Sequence, residues 1–351
     1  MEFRDLFNGV DLSGWVNVNC APSTWTWRDG MLVCSGVPTG VLRTERMYQD
    51  FELELDWRHL HVGGNAGIFL MSDAITAVGE PFTRSHEVQV LDGTESANYT
   101  SHGDVFAIHG AHLKPDRPHP AGWERCLPSE RRSYAAPLWN HYKITCRDGT
   151  LKLEVNGAEV SGATDLMPRR GYICLESEGS EVHFRNVRLK ELQGGRKSLP
   201  AEMLATADQG FKSQYNGVDL AGWHAPDAAE ASHWRADDWR LSCEALAAPL
   251  WSTKEWGDCE IIVDVRLVEG RPTAVLSARG PKGFEIALEP KPDGTWSRMR
   301  VLSEGAKASV DIDGQPSKST RESAPAFGPI GLSVEGAGRL EFANIYVRSL
   351  R

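Results

Sequence analysis

The sequence has no run of 18 apolar residues, so no membrane-spanning helix is expected. Its opening Met-Glu-Phe-Arg-Asp-Leu-Phe lacks the basic and apolar regions of a secretory signal. That points the chain as given to the cytoplasm, with a periplasmic or secreted home as the alternative if a leader has been trimmed. Basic blocks are also missing, and 38 Lys+Arg against 48 Asp+Glu leave a formal net charge of −10. Phosphate backbones and anionic lipid surfaces are therefore repelled, which argues against nucleic acid and membrane insertion. The seven cysteines are odd in number, scattered and without a C-x-x-C pair, so neither a disulfide framework nor a zinc knuckle is indicated. Cys146 and Cys174, which sit inside apolar strand patterns, are expected to be small buried hydrophobes. There is no H-E-x-x-H metal helix, G-x-S-x-G elbow, P-loop or G-x-G-x-x-G turn at a strand–helix junction, and no convincing amphipathic helix.

What is present is turn chemistry and alternation. With 351 residues, the chain should hold about two domains. Its 34 Gly, 19 Pro and 12 Trp suit many short strands. F-E-L-E-L-D-W, E-V-Q-V-L, Y-K-I-T-C, L-K-L-E-V and V-H-F-R-N-V-R-L all alternate, separated by turns such as Arg-Asp-Gly at 147–149 and Asn-Gly at 156–157. Two copies of one pattern run along the chain. F-N-G-V-D-L-S-G-W at 7–15 returns as Y-N-G-V-D-L-A-G-W at 215–223, and G-Y-I-C-L-E-S-E-G at 171–179 as G-P-I-G-L-S-V-E-G at 328–336. The expected fold is all-β, two tandem jelly-roll β-sandwiches, with domains at 1–192 and 209–351 and a linker at 193–208.

The copies differ where chemistry would sit. The second lacks nearly all of 93–138, a segment holding four of the eleven histidines along with Tyr99, Asp104, Lys114, Glu130, Arg131 and Arg132. Such a long loop is expected to be ordered and site-forming. Asn65, Gln89, Asp92, Asn140 and Glu176 align with Thr273, Ala287, Pro290, Ser297 and Ser333, so polar groups of the first copy are lost in the second. By contrast Asp11, Trp15, Glu52 and Asp56 keep partners at Asp219, Trp223, Glu260 and Asp264, as a shared fold requires. The first copy is thus expected to be the working domain and the second a degenerate scaffold or interface. In E-V-Q-V-L-D, Glu87 and Gln89 share the face opposite Val88 and Val90, with Asp92 at the strand end; Glu176 and Glu178 share a face of their own strand. Two such carboxylates could serve as base and acid if their pKa values are pushed apart. His102-x-Asp104 and His109 flank Val105-Phe106, which would anchor the insertion against the sheet.

L-F-N-G-V-D-L-S-G-W, N-A-G-I-F-L, E-V-Q-V-L-D, W-N-H-Y-K-I and G-Y-I-C-L-E-S-E-G-S-E-V-H-F-R-N-V, in that order over about residues 3–192, resemble the 3-keto-disaccharide hydrolase family. Residues 211–349 look like a degenerate second member. Met71 stands where the family often has Arg, and Glu176 replaces a frequent Gln. The resemblance implies a concanavalin-A-like jelly roll and a carbohydrate partner, a glycoside or disaccharide already oxidised at C3. It implies cleavage by acid–base elimination followed by hydration. Glu87 or His109 is then the candidate base and Glu176 or Asp104 the candidate acid. Asn65, Gln89, Asp92, Tyr99, Lys114, Arg132, Asn140 and Glu178 are candidates to bind substrate. No cofactor is predicted, although a loop-bound calcium is compatible with a jelly roll. The rival reading is a non-catalytic, lectin-like sugar-binding module using Tyr99 or Trp123 as a stacking platform, and fold alone does not decide between them.

Overall fold

Phe51–His59 alternates strictly between buried and half-buried residues, and so does most of Asn140–Arg147, as period-two side chains on a one-sided sheet must. The computed structural model describes residues 2–193, 198–226, 233–244, 247–321 and 324–350. Their regular structure is strand; the only helix among the described residues is the 3-10 turn Ala201–Met203. They divide into two units, 1–77 with 82–208, and 78–81 with 209–351.

The first unit is a sandwich of a nine-stranded and a seven-stranded antiparallel sheet. Leu53, Leu55, Tyr142, Ile144, Leu153 and Leu189 from the larger sheet share one core with Ile68, Val88, Val90, Ile173 and Leu175 from the smaller. In the second unit an eight-stranded and a five-stranded sheet enclose Ile261, Val263, Val301 and Phe342 against Leu276, Ile286 and Leu332. Both are all-β jelly-roll sandwiches, the architecture the alternation demanded. The Asp148-Gly149, Asn156-Gly157 and Asp313-Gly314 pairs all have positive φ, the turn that matches the twist of a tight hairpin.

The repeated residues do the same work twice. Asn8 Nδ2 donates to Asp11 Oδ1 at 2.6 Å, and Asn216 Nδ2 donates to Asp219 Oδ1 at 2.6 Å. Trp15 Nε1 donates to Leu6 O and Trp223 Nε1 to Gln214 O, tying each opening loop back onto its own entry strand. Glu52 and Asp56 pair with Lys190 and Arg185, while Glu260 and Asp264 pair with Arg348 and Arg298. All seven cysteines are buried.

The expected linker needs correction. Gly194 and Gly195 lie outside the described residues, but the segment that follows belongs to the first unit, which runs to Asp208. Arg169 N–H donates to Met203 O and Ala205 N–H to Arg170 O, both at 2.8 Å, and Asp208 pairs with buried Arg43. Backbone hydrogen bonds to a sheet margin hold this stretch in place of a free tether.

Candidate functional site

The smaller sheet of the first unit runs Arg125–Cys126, Val105–Ile108, Ser85–Leu91, Asn65–Ser72, Tyr172–Ser177, Gly40–Thr44, Trp15–Asn17. Val88, Val90, Ile68, Leu175 and Val105 enter the core, so alternation turns Glu87, Gln89, Gly67, Phe69 and Glu176 to the opposite face. The central strand is pinned from across the core, where the Tyr142 hydroxyl donates to Gln89 O at 2.9 Å. His59 Nε2 also meets Val90 O at 2.9 Å.

Glu87 and Glu176 come together over Gly67. A Cβ at position 67 would lie 2.7 Å from Glu87 Oε1 and 2.7 Å from Glu176 Oε2, so the bare backbone makes the room both carboxyls occupy. Glu87 is 6% exposed and Glu176 1%. Burial, reinforced by the Glu178 charge, pushes the Glu87 carboxyl up to about 8, with Arg125 acting the other way. Burial and then the Glu87 and Glu178 charges hold the Glu176 carboxyl well above the usual range, and its Oε2 is buried without a hydrogen-bond partner. A hydrogen-bonded row leads away from the pair. Glu178 accepts from Asn65 Nδ2; Asn65 Oδ1 accepts from Gln89 Nε2 at 2.8 Å; Gln89 Oε1 accepts from Arg125 Nη2 at 3.3 Å.

Asp104 is fully buried and committed elsewhere. It accepts from Thr100 N–H (3.0 Å), the Thr100 hydroxyl (2.7 Å) and Arg125 Nε (2.7 Å), which makes it the anchor of Arg125. His109 is held with φ 52° against Phe82, with ring centroids 6.3 Å apart, and Phe82 packs edge-on against Phe69. Burial lowers the His109 imidazole to about 4. It borders the end of the row remote from Gln89, since Glu87 pairs with Phe69 and Phe106 whereas Ser85 pairs with Ile108.

Other expected ligands fall away from this face. Lys114 is exposed on His112–Pro115, a strand of the larger sheet. Arg132 donates to Val155 O and Asn156 O and so clamps a hairpin of that sheet. Asn140 is buried at its margin, accepting from Tyr134 N–H and donating to Tyr134 O. Asp92 accepts from Gly63 N–H (3.2 Å) and Ala136 N–H (3.0 Å), joining two loops. Tyr99 is exposed, 5.7 Å from the Arg125 guanidinium carbon, and Trp123 stacks on His119 at 4.8 Å. No group of three His, Cys, Asp or Glu among the described residues is placed to hold a metal ion.

Arg125 and Gly67 escaped the sequence reading. Arg125 lies in the insertion but beside the more conspicuous Arg131-Arg132 run. Gly67 was legible only as a glycine whose counterpart is larger. Strand register supplies that counterpart. Ile68 pairs with Val88 and Leu175 as Leu276 pairs with Ile286 and Leu332. Gly67, Glu87, Gln89 and Glu176 therefore correspond to Val275, Glu285, Ala287 and Ser333, and Glu285 is exposed. The second unit keeps one carboxylate, in water, and fills the glycine's space with a side chain.

The fold and the buried carboxyl pair define a β-sandwich protein whose first unit places two carboxyls over Gly67 where the second has Val275, Glu285 and Ser333. Residues 2–190 match the model of the 3-keto-alpha-glucoside-1,2-lyase-like domain, and the chain belongs to that family. Its function is thus carbohydrate-related. A 3-keto-disaccharide hydrolase of Bacteroides thetaiotaomicron is 26% identical over 237 residues, 53% of this chain and 77% of that protein. A Parabacteroides distasonis protein named provisionally as a glycosyl hydrolase is 20% identical, with a TM-score of 0.43, 54% of this chain and 94% of that one being covered. A carbohydrate-binding module from Bacillus subtilis is 15% identical, with a TM-score of 0.38 over 51% and 96%.

Proposed function

We propose that the first unit cleaves glycosides oxidised at C3, with Glu87 as base and Glu176 as acid, and that the second unit is a non-catalytic copy. The observation that carries this reading is the pair of buried carboxyls over Gly67, both pushed up in pKa and unequally exposed. Groups so placed give up their protons in sequence, so one is ionised while the other still holds its proton.

The ketone acidifies the proton on C2. Ionised Glu87, the more exposed of the two, takes that proton, and the C–H electrons form a C2–C3 enolate with charge on the ketone oxygen. Arg125, bound through Nε and Nη2, keeps Nη1 as the cation for that charge. The enolate then re-forms the ketone, a C1–C2 double bond appears and the C1–O bond breaks. The leaving oxygen takes the proton of Glu176 and departs as an alcohol. Water adding to C1 of the enone completes a net hydrolysis, and proton exchange between the adjacent carboxyls resets them.

The test offers the protein a plain glucoside and its 3-keto derivative in heavy water, followed by NMR. Turnover of the keto sugar alone, with deuterium entering at C2, is expected. Saturable shifts without turnover of either sugar would replace this reading with a binding module. Cleavage of the plain glucoside would indicate ordinary paired-carboxylate hydrolysis.

A further inference from the structure

A cavity of about 560 Å³ lies within the second unit, with Trp256, Arg279, Ala306 and Phe327 among its walls. It opens where the strands Leu250–Trp256 and Thr273–Ala278 end and Gly328–Glu335 begins. We infer that it is a docking groove for an extended, uncharged peptide segment of a partner protein, laid along Ala326–Gly328 with a small side chain over Gly328. The second copy, which lacks the carboxyl pair, thereby has a binding role of its own.

The first unit shows the same place covered by chain. Trp256 pairs with Gly328 as Tyr48 bridges Gly171, and Arg279 and Met71 share a positive φ, 64° and 55°. Asp258 Oδ1 accepts from Gly305 N–H at 2.9 Å, as Asp50 Oδ1 accepts from Asp148 N–H at 2.8 Å. Ala326, Phe327 and Gly328 thus correspond to Arg169, Arg170 and Gly171. On those three residues the first unit lays its own segment. Arg169 N–H donates to Met203 O and Ala205 N–H to Arg170 O, both at 2.8 Å, and Leu204 forms a parallel bridge with Arg170. A Cβ on Gly171 would come 2.7 Å from the Ala205 Cβ, so the segment crosses the glycine on a small residue.

In the second unit the receiving groups stay open. Among the described residues no hydrogen bond engages Ala326 N–H or Phe327 O, the counterparts of the two groups that hold Met203 and Ala205. An open N–H and C=O on an extended edge are a template for another chain. Phe327 adds apolar area. Its ring lies over Gly257, where a Cβ would be 2.8 Å from Phe327 Cε1, yet the side chain is 67% exposed.

The lining charges cancel. Arg279, 4% exposed, donates from Nη2 to Asp258 Oδ1 at 2.6 Å and from Nη1 to Gly305 O at 2.8 Å, so its cation is spent on the walls. Lys254 holds its ammonium 3.8 Å from the Trp256 ring centre, and Glu255 is its neighbour in the same lining. A groove balanced in this way has no net charge to attract an anion. It suits a neutral main chain, with backbone bonds for affinity and side-chain size for selection.

The probe is a fluorescent, end-capped peptide of residues 200–208, Pro-Ala-Glu-Met-Leu-Ala-Thr-Ala-Asp, whose 203–207 stretch is uncharged. It carries a photo-crosslinking leucine analogue at position 204 and is offered to the full chain. Saturable anisotropy, with crosslinks to 254–258 or 324–328, is expected. Affinity should fall about tenfold or more when the peptide is N-methylated at its Ala205 nitrogen, the loss of one main-chain hydrogen bond. Ala306→Trp, which fills the cavity, should weaken binding at least as much. No saturable binding, or binding indifferent to both changes, would overturn the groove. Crosslinks confined to 167–171 would overturn it as well, because the peptide would then only be displacing the first unit's own segment. A dimer seen by sedimentation and dissolved by Ala306→Trp would put a second copy of the chain in place of the partner peptide.

Discussion

Gly67 has no side chain, and two carboxyls meet in the space that leaves. Adding a single methyl there should separate them. Gly67→Ala is expected to lower kcat on a 3-keto-glycoside by about 100-fold or more, with a stability loss of about 1–3 kcal/mol from overpacking; steady-state kinetics beside urea unfolding separates the two effects. The pKa of Glu87, raised to about 8, makes a second prediction. Because the base must be ionised, kcat/KM should climb about tenfold per pH unit below 8 and level off above it. Glu87→Gln should lose about 10²–10⁴-fold in rate at every pH. A profile already flat from pH 6 would refute Glu87 as the base. Period two was enough to put Glu87 and Gln89 on one face from the sequence. It gave no hint that Glu176 lay over the same glycine, because that depends on which strands become neighbours.

The insertion is where elements had to be seen. Its histidines drew attention in the sequence, yet His109 borders the far end of the row and His119 supports Trp123. The part it contributes to the acid pair is the short Arg125–Cys126 strand, whose Cys126 enters the core and whose arginine reaches Gln89 and Asp104. Only two residues long, that strand has too few alternations to stand out in the sequence. Lys114 and Arg132 were equally plausible cations until pairing sent them to the other sheet. Since Asp104 is fully buried, Arg125→Ala should destabilise the first unit by about 3–5 kcal/mol, by stranding a charge. Asp104→Ala with Arg125→Ala should cost less than the two single losses added together, a double-mutant cycle that urea unfolding can read.

For the whole molecule, the repeat made the tandem sandwiches legible, because identical loop bonds at Asp11 and Asp219 require identical residues. It also concealed the true end of the first unit, since 200–208 reads as a linker by composition and is held by backbone bonds that leave no pattern. The acid pair has a consequence on this scale too. Both carboxyls bind protons more tightly folded than unfolded, so the stability they lend is present at low pH and lost as pH rises from about 4.5 towards 8. Melting temperature should therefore fall across that window. Glu176→Gln, which keeps the shape without the charge, should flatten the slope and raise Tm by a few degrees near neutrality.

The buried thiols carry a last implication. Burial raises Cys34, Cys174 and Cys259 to about 11 and Cys243 to about 12. A thiol that is both inaccessible and protonated does not alkylate. With Cys20, Cys34, Cys126, Cys146 and Cys174 in one unit and Cys243 and Cys259 in the other, the chain carries its own clocks. The rate at which each cysteine is modified, resolved by mass, times how often that half of the molecule breathes open, with no label to install.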